Sequence, residues 1–140
     1  MMEELISEWY RLLNGNVVVS GNNYPVYRTN AAINRRSHYV LLRKESGSFT
    51  PNKAMFDRRH VIILEIVTKF PSIIADGLVD RIYDKCMSLV FNSPSSNNLN
   101  VSGLVQIDPG TPHYIDEDDG TQKIYRKLIR FTHLTAEQAA

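Results

Sequence analysis

The sequence is poor in cysteine, in residues that break regular structure and in long apolar runs. Its one cysteine, Cys86, cannot close an intramolecular disulfide, which excludes a small fold held by a cysteine framework and favours a reducing compartment. Seven glycines and six prolines in 140 residues exclude collagen-like and low-complexity chains. The unbroken apolar run at 61–64 is far shorter than the roughly 20 residues of a membrane span. The first four residues, Met-Met-Glu-Glu, lack the basic start of a secretory signal, so we expect neither export nor a membrane partner.

Motifs for catalysis and ligand binding are missing as well. The sequence contains no G-x-S-x-G, no phosphate-binding glycine loop, no H-E-x-x-H and no C-x-x-C. Four histidines, at positions 38, 60, 113 and 133, have no short metal-ligand spacing. The acidic string at 116–120 lacks the carboxylate that a calcium loop needs at its first position. We therefore predict that the protein is not an enzyme and has no catalytic residue, no metal site and no cofactor.

The charge is unevenly distributed, although the formal net charge is only +1. Residues 28–69 contain nine basic and three acidic side chains, whereas residues 76–119 contain eight acidic and two basic ones. Such a bipolar chain either neutralises itself internally or presents opposite faces to identical neighbours, as a head-to-tail ring requires, and the sequence leaves both open. The candidate subunit-interface residues are Arg35, Arg36, Arg58, Arg59, Asp76, Asp80, Asp84, Asp116, Glu117, Asp118 and Asp119.

Periodicity predicts an α+β fold in a single small domain, residues 1–140, with a mainly antiparallel sheet. Apolar residues at helical spacing predict an N-terminal helix over 2–13 and a second helix that opens near Pro71 and packs across the sheet. The core stripe of this second helix consists of Ile74, Leu78, Ile82, Cys86 and Leu89. The β-branched run at 61–67 predicts a central strand covered on both faces. Hairpins are expected over 17–29, turning at 21–23, and over 112–133.

Three segments carry little core-like sequence. Residues 91–100, rich in Asn and Ser, predict a flexible projecting loop, and residues 135–140 a frayed tail. The acidic segment 116–120 predicts an exposed hairpin tip. This tip is either simply solvated or a contact for a neighbouring subunit.

Paired arginines support an alternative function, a small nucleic-acid-binding accessory domain. Arg35 with Arg36, and Arg58 with Arg59, place fixed cations where a phosphate backbone would need them. A pI near 7.9 and the acidic segment that follows argue against a dedicated nucleic-acid binder.

The order of predicted elements resembles the tail terminator and tail-completion proteins of tailed bacteriophages. The resemblance is carried by Tyr24-Pro25-Val26-Tyr27, by the long strand at 59–67, by the segment Ala-Asp-Gly-Leu-Val-Asp-Arg-Ile at 75–82 and by the closing strand at 125–131. It implies a non-enzymatic virion structural protein of the tail terminator or head-tail connector type, assembled in the host cytoplasm. It also implies a homo-oligomeric ring of six or more subunits, contacts with other phage tail or connector proteins, and a channel through which DNA passes without specific binding.

Overall fold

Two helices and ten strands form the part of the chain that the computed structural model describes, residues 2–28, 38–49, 56–70, 77–93, 96–118 and 123–137. In chain order they are α1 (Met2–Leu13), β1 (Val18–Val19), β2 (Asn22–Asn23), β3 (Val26–Tyr27), β4 (His38–Phe49), β5 (Phe56–Phe70), α2 (Leu78–Val90), β6 (Phe91–Ser93), β7 (Ser96–Asn97), β8 (Leu104–Pro109), β9 (His113–Asp118) and β10 (Lys123–Glu137). This is the predicted small α+β fold.

The main sheet has the strand order β3-β4-β5-β10-β8, and every pairing is antiparallel except that of β3 with β4. The two longest strands, β5 and β10, pair over all 15 residues of each. On its other side β10 pairs with β8 towards its C-terminal end and with β9 towards its N-terminal end. The sheet therefore has one edge made by β3 and β4, and a second made by β8 and β9.

Both helices pack on one face of this sheet. In α1 the residues at helical spacing, such as Leu5 and Trp9, are fully buried, and the helix has the predicted bounds. In α2 the buried residues are Leu78, Val79, Ile82, Cys86 and Val90. Leu89 is only partly buried, since Val90 takes the core position of the last turn, and Ile74 lies outside the described residues. Within the described ranges neither helix is long and apolar enough to cross a membrane.

Alternation along β5 gives the sheet a second, smaller core on the opposite face. Ile62, Leu64 and Ile66 lie in the core beneath the helices. Val67 is fully buried in the second core with Tyr39 of β4. The prediction of a central strand is thus confirmed, but among the described residues another layer, the helices, covers only one of its faces. The second face is buried by side chains of the sheet itself, and one buried position there, Glu65, is charged.

The first hairpin differs from the prediction. β1 pairs with β2 around a turn at Ser20-Gly21, where both residues have positive φ (53° and 83°), rather than around 21–23. β3 leaves this hairpin and pairs in parallel with β4, and the Pro25 carbonyl accepts the Val40 N–H at 2.9 Å. Pro25 therefore stands at the sheet edge, where its missing N–H breaks no ladder.

Parts of the two segments expected to be loose lie in strands. The Phe91 ring contacts Trp9, and Leu99 is buried, so both ends of the Asn-Ser segment pack on the core around the pair β6 and β7. Residues 135–137 continue β10, where Thr135 is buried and pairs with both neighbouring strands, β5 and β8. The remaining tail, 138–140, lies outside the described residues.

Candidate functional site

The most exposed strand of the sheet is β9, and it is acidic. All six of its residues are exposed, and three of them are Asp116, Glu117 and Asp118. Tyr114 and Ile115 are 61% and 43% exposed, and they are two of the three large apolar residues exposed in the described chain. On the side away from β10, no described strand pairs with β9. An unpaired strand edge with exposed apolar side chains is typical of a protein contact.

A cluster around Lys127 holds β9 against α2. Lys127 Nζ lies 2.9 Å from Asp80 Oδ1, and the Tyr114 hydroxyl donates to the same oxygen at 2.8 Å. The Tyr83 ring centroid is 3.9 Å from the Lys127 ammonium, which is a cation–π contact. The hydrogen bond from Lys127 lowers the pKa of Asp80. β9 is therefore fixed by side chains as well as by its ladder with β10.

A row of alternating charges crosses the opposite face of the sheet. Arg43 of β4 donates to Glu65 of β5 at 2.8 Å, and Arg126 of β10 donates to the other oxygen of Glu65 at 2.8 Å. Arg126 also donates to Glu117 of β9 at 3.0 Å. The central carboxylate is only 10% exposed, and the two guanidinium groups compensate its burial.

The edge opposite β9 is basic and concave. A cavity of about 600 Å³ is lined by Glu3, Ile6, Arg28, Arg43 and Lys44. Glu3 pairs with both Arg28 and Lys44, so the cavity walls hold three cations against one anion. Beyond the short contact with β3, the outer side of β4 meets no strand in the described part of the chain.

The structure brings several predicted interface acids into pairs within the chain. Asp80, Asp116 and Glu117 pair with the β10 cations Lys127, Lys123 and Arg126, respectively. These cations lie outside the basic segment 28–69 and were not among the predicted interface residues. Their place in the strand opposite β9 in the predicted hairpin is the sequence signal that could have identified them. Internal neutralisation therefore accounts for part of the acidic segment.

The other predicted interface residues are spread over the molecule. Arg59 and Asp84 are exposed and have no ion pair with the described residues, and Asp118 is exposed on β9. Arg58 is in β5, where only its backbone is described. The predicted residues that lie outside the described ranges are Arg35, Arg36, Asp76 and Asp119.

Two titratable side chains, Cys86 and His133, are fully buried. Burial raises the pKa of the Cys86 thiol to about 12, which keeps it in the unreactive thiol form. Burial also lowers the pKa of His133 to about 4, and this neutral imidazole bonds to Trp9 and to the His60 carbonyl. Among the residues that the structure describes, no group of three His, Cys, Asp or Glu side chains is placed to hold a metal ion.

Comparison with solved structures finds a chain of similar fold. No family model and no curated protein matches the sequence. Among solved structures, the chain is similar to a chain from the virion of a native gene transfer agent (GTA) particle, with a TM-score of 0.60. The match covers 96% of this chain and 90% of that chain at 12% sequence identity. The two chains therefore share a fold over nearly their whole length.

Proposed function

We propose that this protein is a non-enzymatic structural subunit of a virion, which forms a homo-oligomeric ring at a phage head-to-tail interface, as a tail terminator or connector-ring protein. The observation that carries the proposal is the fold shared with a chain of the GTA virion over 96% of this sequence. The element order that resembles tail terminator proteins supports the same assignment. The partners are then other copies of the chain, neighbouring tail or connector proteins, and DNA that passes through the channel without specific binding.

The two sheet edges support a ring in particular. One edge presents the acidic strand β9, and the other presents the basic cavity beside β4. A closed ring requires two different, complementary surfaces on each subunit, and surfaces of opposite charge supply both recognition and orientation. Arg59 and Asp84, both exposed, are further candidates for contacts with neighbours.

Nucleic-acid binding is the second candidate function. Arg59 favours it, since its exposed guanidinium makes no ion pair with the described residues. Several other described cations are engaged within the chain, among them Arg43, Lys123 and Arg126. Salt-dependent retention on DNA at near-physiological ionic strength would favour this function, because phosphate contacts release counterions.

Native mass measurement of the purified protein tests the ring. We expect one closed oligomer of six or more subunits, visible as a ring by negative-stain electron microscopy. Assembly should be slower at high salt, because charges beyond about 8 Å are screened at physiological ionic strength and over still shorter distances above it. The double variant Arg58→Glu, Arg59→Glu should also slow assembly if these arginines meet a neighbour. A protein that stays monomeric at every concentration and salt would overturn the ring.

A further inference from the structure

The two edges of the main sheet are complementary in charge. All six residues of β9 are exposed, and the strand carries three carboxylates and Ile115. Beside β4 lies the cavity whose walls combine three cations with the apolar side chain of Ile6. These edges belong to one sheet and lie on opposite sides of it, so they cannot pair with each other within one subunit.

We propose that β9 of one copy adds to the outer edge of β4 in the next copy, at residues 42–49, with which no described strand pairs on that side, so that its acidic side chains reach the basic cavity there. This inference rests on the proposed ring function and names the surfaces that would form the ring. The sheet then continues from subunit to subunit through backbone hydrogen bonds, and the side chains select the partner. Because the two surfaces differ, a subunit that has bound one neighbour through β9 can still bind another through its β4 edge. The contact therefore repeats until the ring closes.

The charges that face this contact keep solvent-exposed surface despite their pairs within the chain. Asp116 and Glu117 are 59% and 47% exposed at the side chain, and Arg43 and Lys44 are 40% and 47% exposed. Lys44 and Arg43 can therefore accept a second carboxylate without first breaking a buried pair. The Nε–H of Arg43 is buried and finds no acceptor within the described chain, which leaves this guanidinium incompletely satisfied.

Charge also decides against the simplest alternative, in which β9 pairs with β9 of a second copy. That symmetric contact would join two copies of a strand that has three carboxylates and no lysine or arginine. Pairs of opposite charge stabilise neighbouring strands, and β9 against β9 offers none. The β4 edge offers cations instead, and its described acids already pair within the chain, Glu3 with Arg28 and Lys44, and Glu45 with Arg130 at 2.8 Å.

The contact needs little ordering of β9. Tyr114 and Lys127 fix the strand to Asp80 of α2, and Arg126 fixes Glu117 from the other face. A strand that is already held in its bound conformation loses less conformational entropy on association.

Two variants, each blocking one edge, test the proposal by mixing. Ile115→Lys places a cation on the β9 edge, where lysine opposes strand addition and repels the β4 cations. Lys44→Glu places an acid on the β4 edge, and Arg28 still holds Glu3 in that variant. The control is Val18→Lys, because Val18 is equally exposed, at 43%, and lies in the hairpin of β1 and β2, which is a sheet separate from the main one. Thermal unfolding checks that all three variants fold like the wild type.

We expect each edge variant alone to be monomeric, the control to assemble like the wild type, and an equal mixture of the two edge variants to give dimers. The mixture stops at two subunits because only one β4 edge and one β9 edge remain intact and meet. In the wild type, amide hydrogen exchange should slow on assembly in both 113–118 and 42–49, which tests the contact without any substitution.

The negative outcomes separate this inference from the proposed function. If both edge variants still form rings, or exchange is unchanged at both edges of an assembled wild type, the inference is wrong while the ring stands. If Lys44→Glu assembles alone and Ile115→Lys does not, β9 binds another surface and the inference is again wrong. A wild type that never assembles overturns both.

Discussion

The indole N–H of Trp9 donates to Nε2 of His133 across 2.9 Å, joining residues that are 124 positions apart in the sequence. Both side chains are fully buried. Because Nε2 accepts this bond, the proton of the neutral imidazole is on Nδ1, which donates to the His60 carbonyl at 3.2 Å. One chain of hydrogen bonds thus ties α1 to β10 and β5 through the centre of the core.

Removing the indole donor should destabilise the protein. Trp9→Phe leaves His133 Nε2 buried without a partner, which costs about 1–3 kcal/mol, in addition to the loss of packing from the smaller ring. Urea unfolding measures the difference. Tyr10→Phe is the control, since Tyr10 lies on the same helix and is only partly buried, so its hydroxyl should matter by less than about 0.5 kcal/mol. Equal effects of the two substitutions would contradict a role for the Trp9 hydrogen bond.

The neutral state of His133 predicts a pH dependence of stability. Its pKa is lowered from 6.5 to about 4 by burial, so between these values the unfolded chain binds a proton that the folded chain does not. The free energy of unfolding should therefore fall as the pH drops from 6.5 to 4, by up to about 3 kcal/mol in total.

Comparison with a variant isolates this histidine from the carboxylates. His133→Asn should be less stable at pH 7 but should lose less stability between pH 6.5 and 4.5. Urea unfolding at several pH values measures both curves. Parallel curves for the two proteins over this range would show that His133 does not titrate as its burial requires.

Ile82 should be a core position of α2. It is fully buried against the sheet, so Ile82→Ala should lower the free energy of unfolding by about 2–5 kcal/mol. Asp84→Ala, two residues later on the exposed side of the same helix, should change it by less than about 0.5 kcal/mol. Chemical denaturation of the two variants checks which face of α2 is buried. An unchanged unfolding midpoint for Ile82→Ala would contradict the burial of Ile82.

Periodicity predicted the elements that bury an apolar face, because burial of one face leaves a pattern in the sequence. The bounds of α1 agree with the prediction, and the run at 61–67 is indeed a central strand. Residues with polar or mixed sequence were predicted less well, since their structure depends on distant partners. Phe91 and Leu99 anchor the Asn-Ser segment only because Trp9 and the core stand beside them in the fold.

The candidate site shows the same division. A hairpin over 112–133 was predicted from local sequence, and its two strands do pair, with Asp118 opposite Lys123 in the ladder. Residues 116–118, predicted as part of the acidic tip, belong to β9, and 119–122 lie outside the described residues. The cross-sheet row through Glu65 was not predicted, because Arg43 and Arg126 meet it only through strand order and register. The trace of this row in the sequence is Glu65 itself, a single acid inside an apolar run, which calls for a paired cation on a neighbouring strand.

Glu65 should be the most sensitive residue of this row. Glu65→Ala removes a partner of both Arg43 and Arg126, and leaves Arg43 without its carboxylate and Arg126 with Glu117 alone. We expect a loss of about 1–3 kcal/mol in the free energy of unfolding. Glu117→Ala removes an acid that is 47% exposed, and should cost less than about 1 kcal/mol. Thermal or urea unfolding of both variants measures the contrast, and a larger effect of Glu117→Ala would refute the ranking.

Gly110 should be intolerant of any side chain, because its backbone lies close to that of β10. Its N–H donates to the Arg130 carbonyl at 2.8 Å, and a Cβ added at Gly110 would lie 3.0 Å from that same oxygen. This oxygen belongs to the backbone of a paired strand and cannot move aside easily. Gly110→Ala should therefore displace the chain between β8 and β9 and lower the free energy of unfolding by about 1–3 kcal/mol.

Gly77→Ala is the matched control, since nothing lies within 4 Å of its Cβ position and its φ is −83°. That substitution should change the free energy of unfolding by less than about 1 kcal/mol. Urea unfolding compares the two variants, and equal stability would contradict the predicted clash of the added Cβ with the Arg130 carbonyl oxygen.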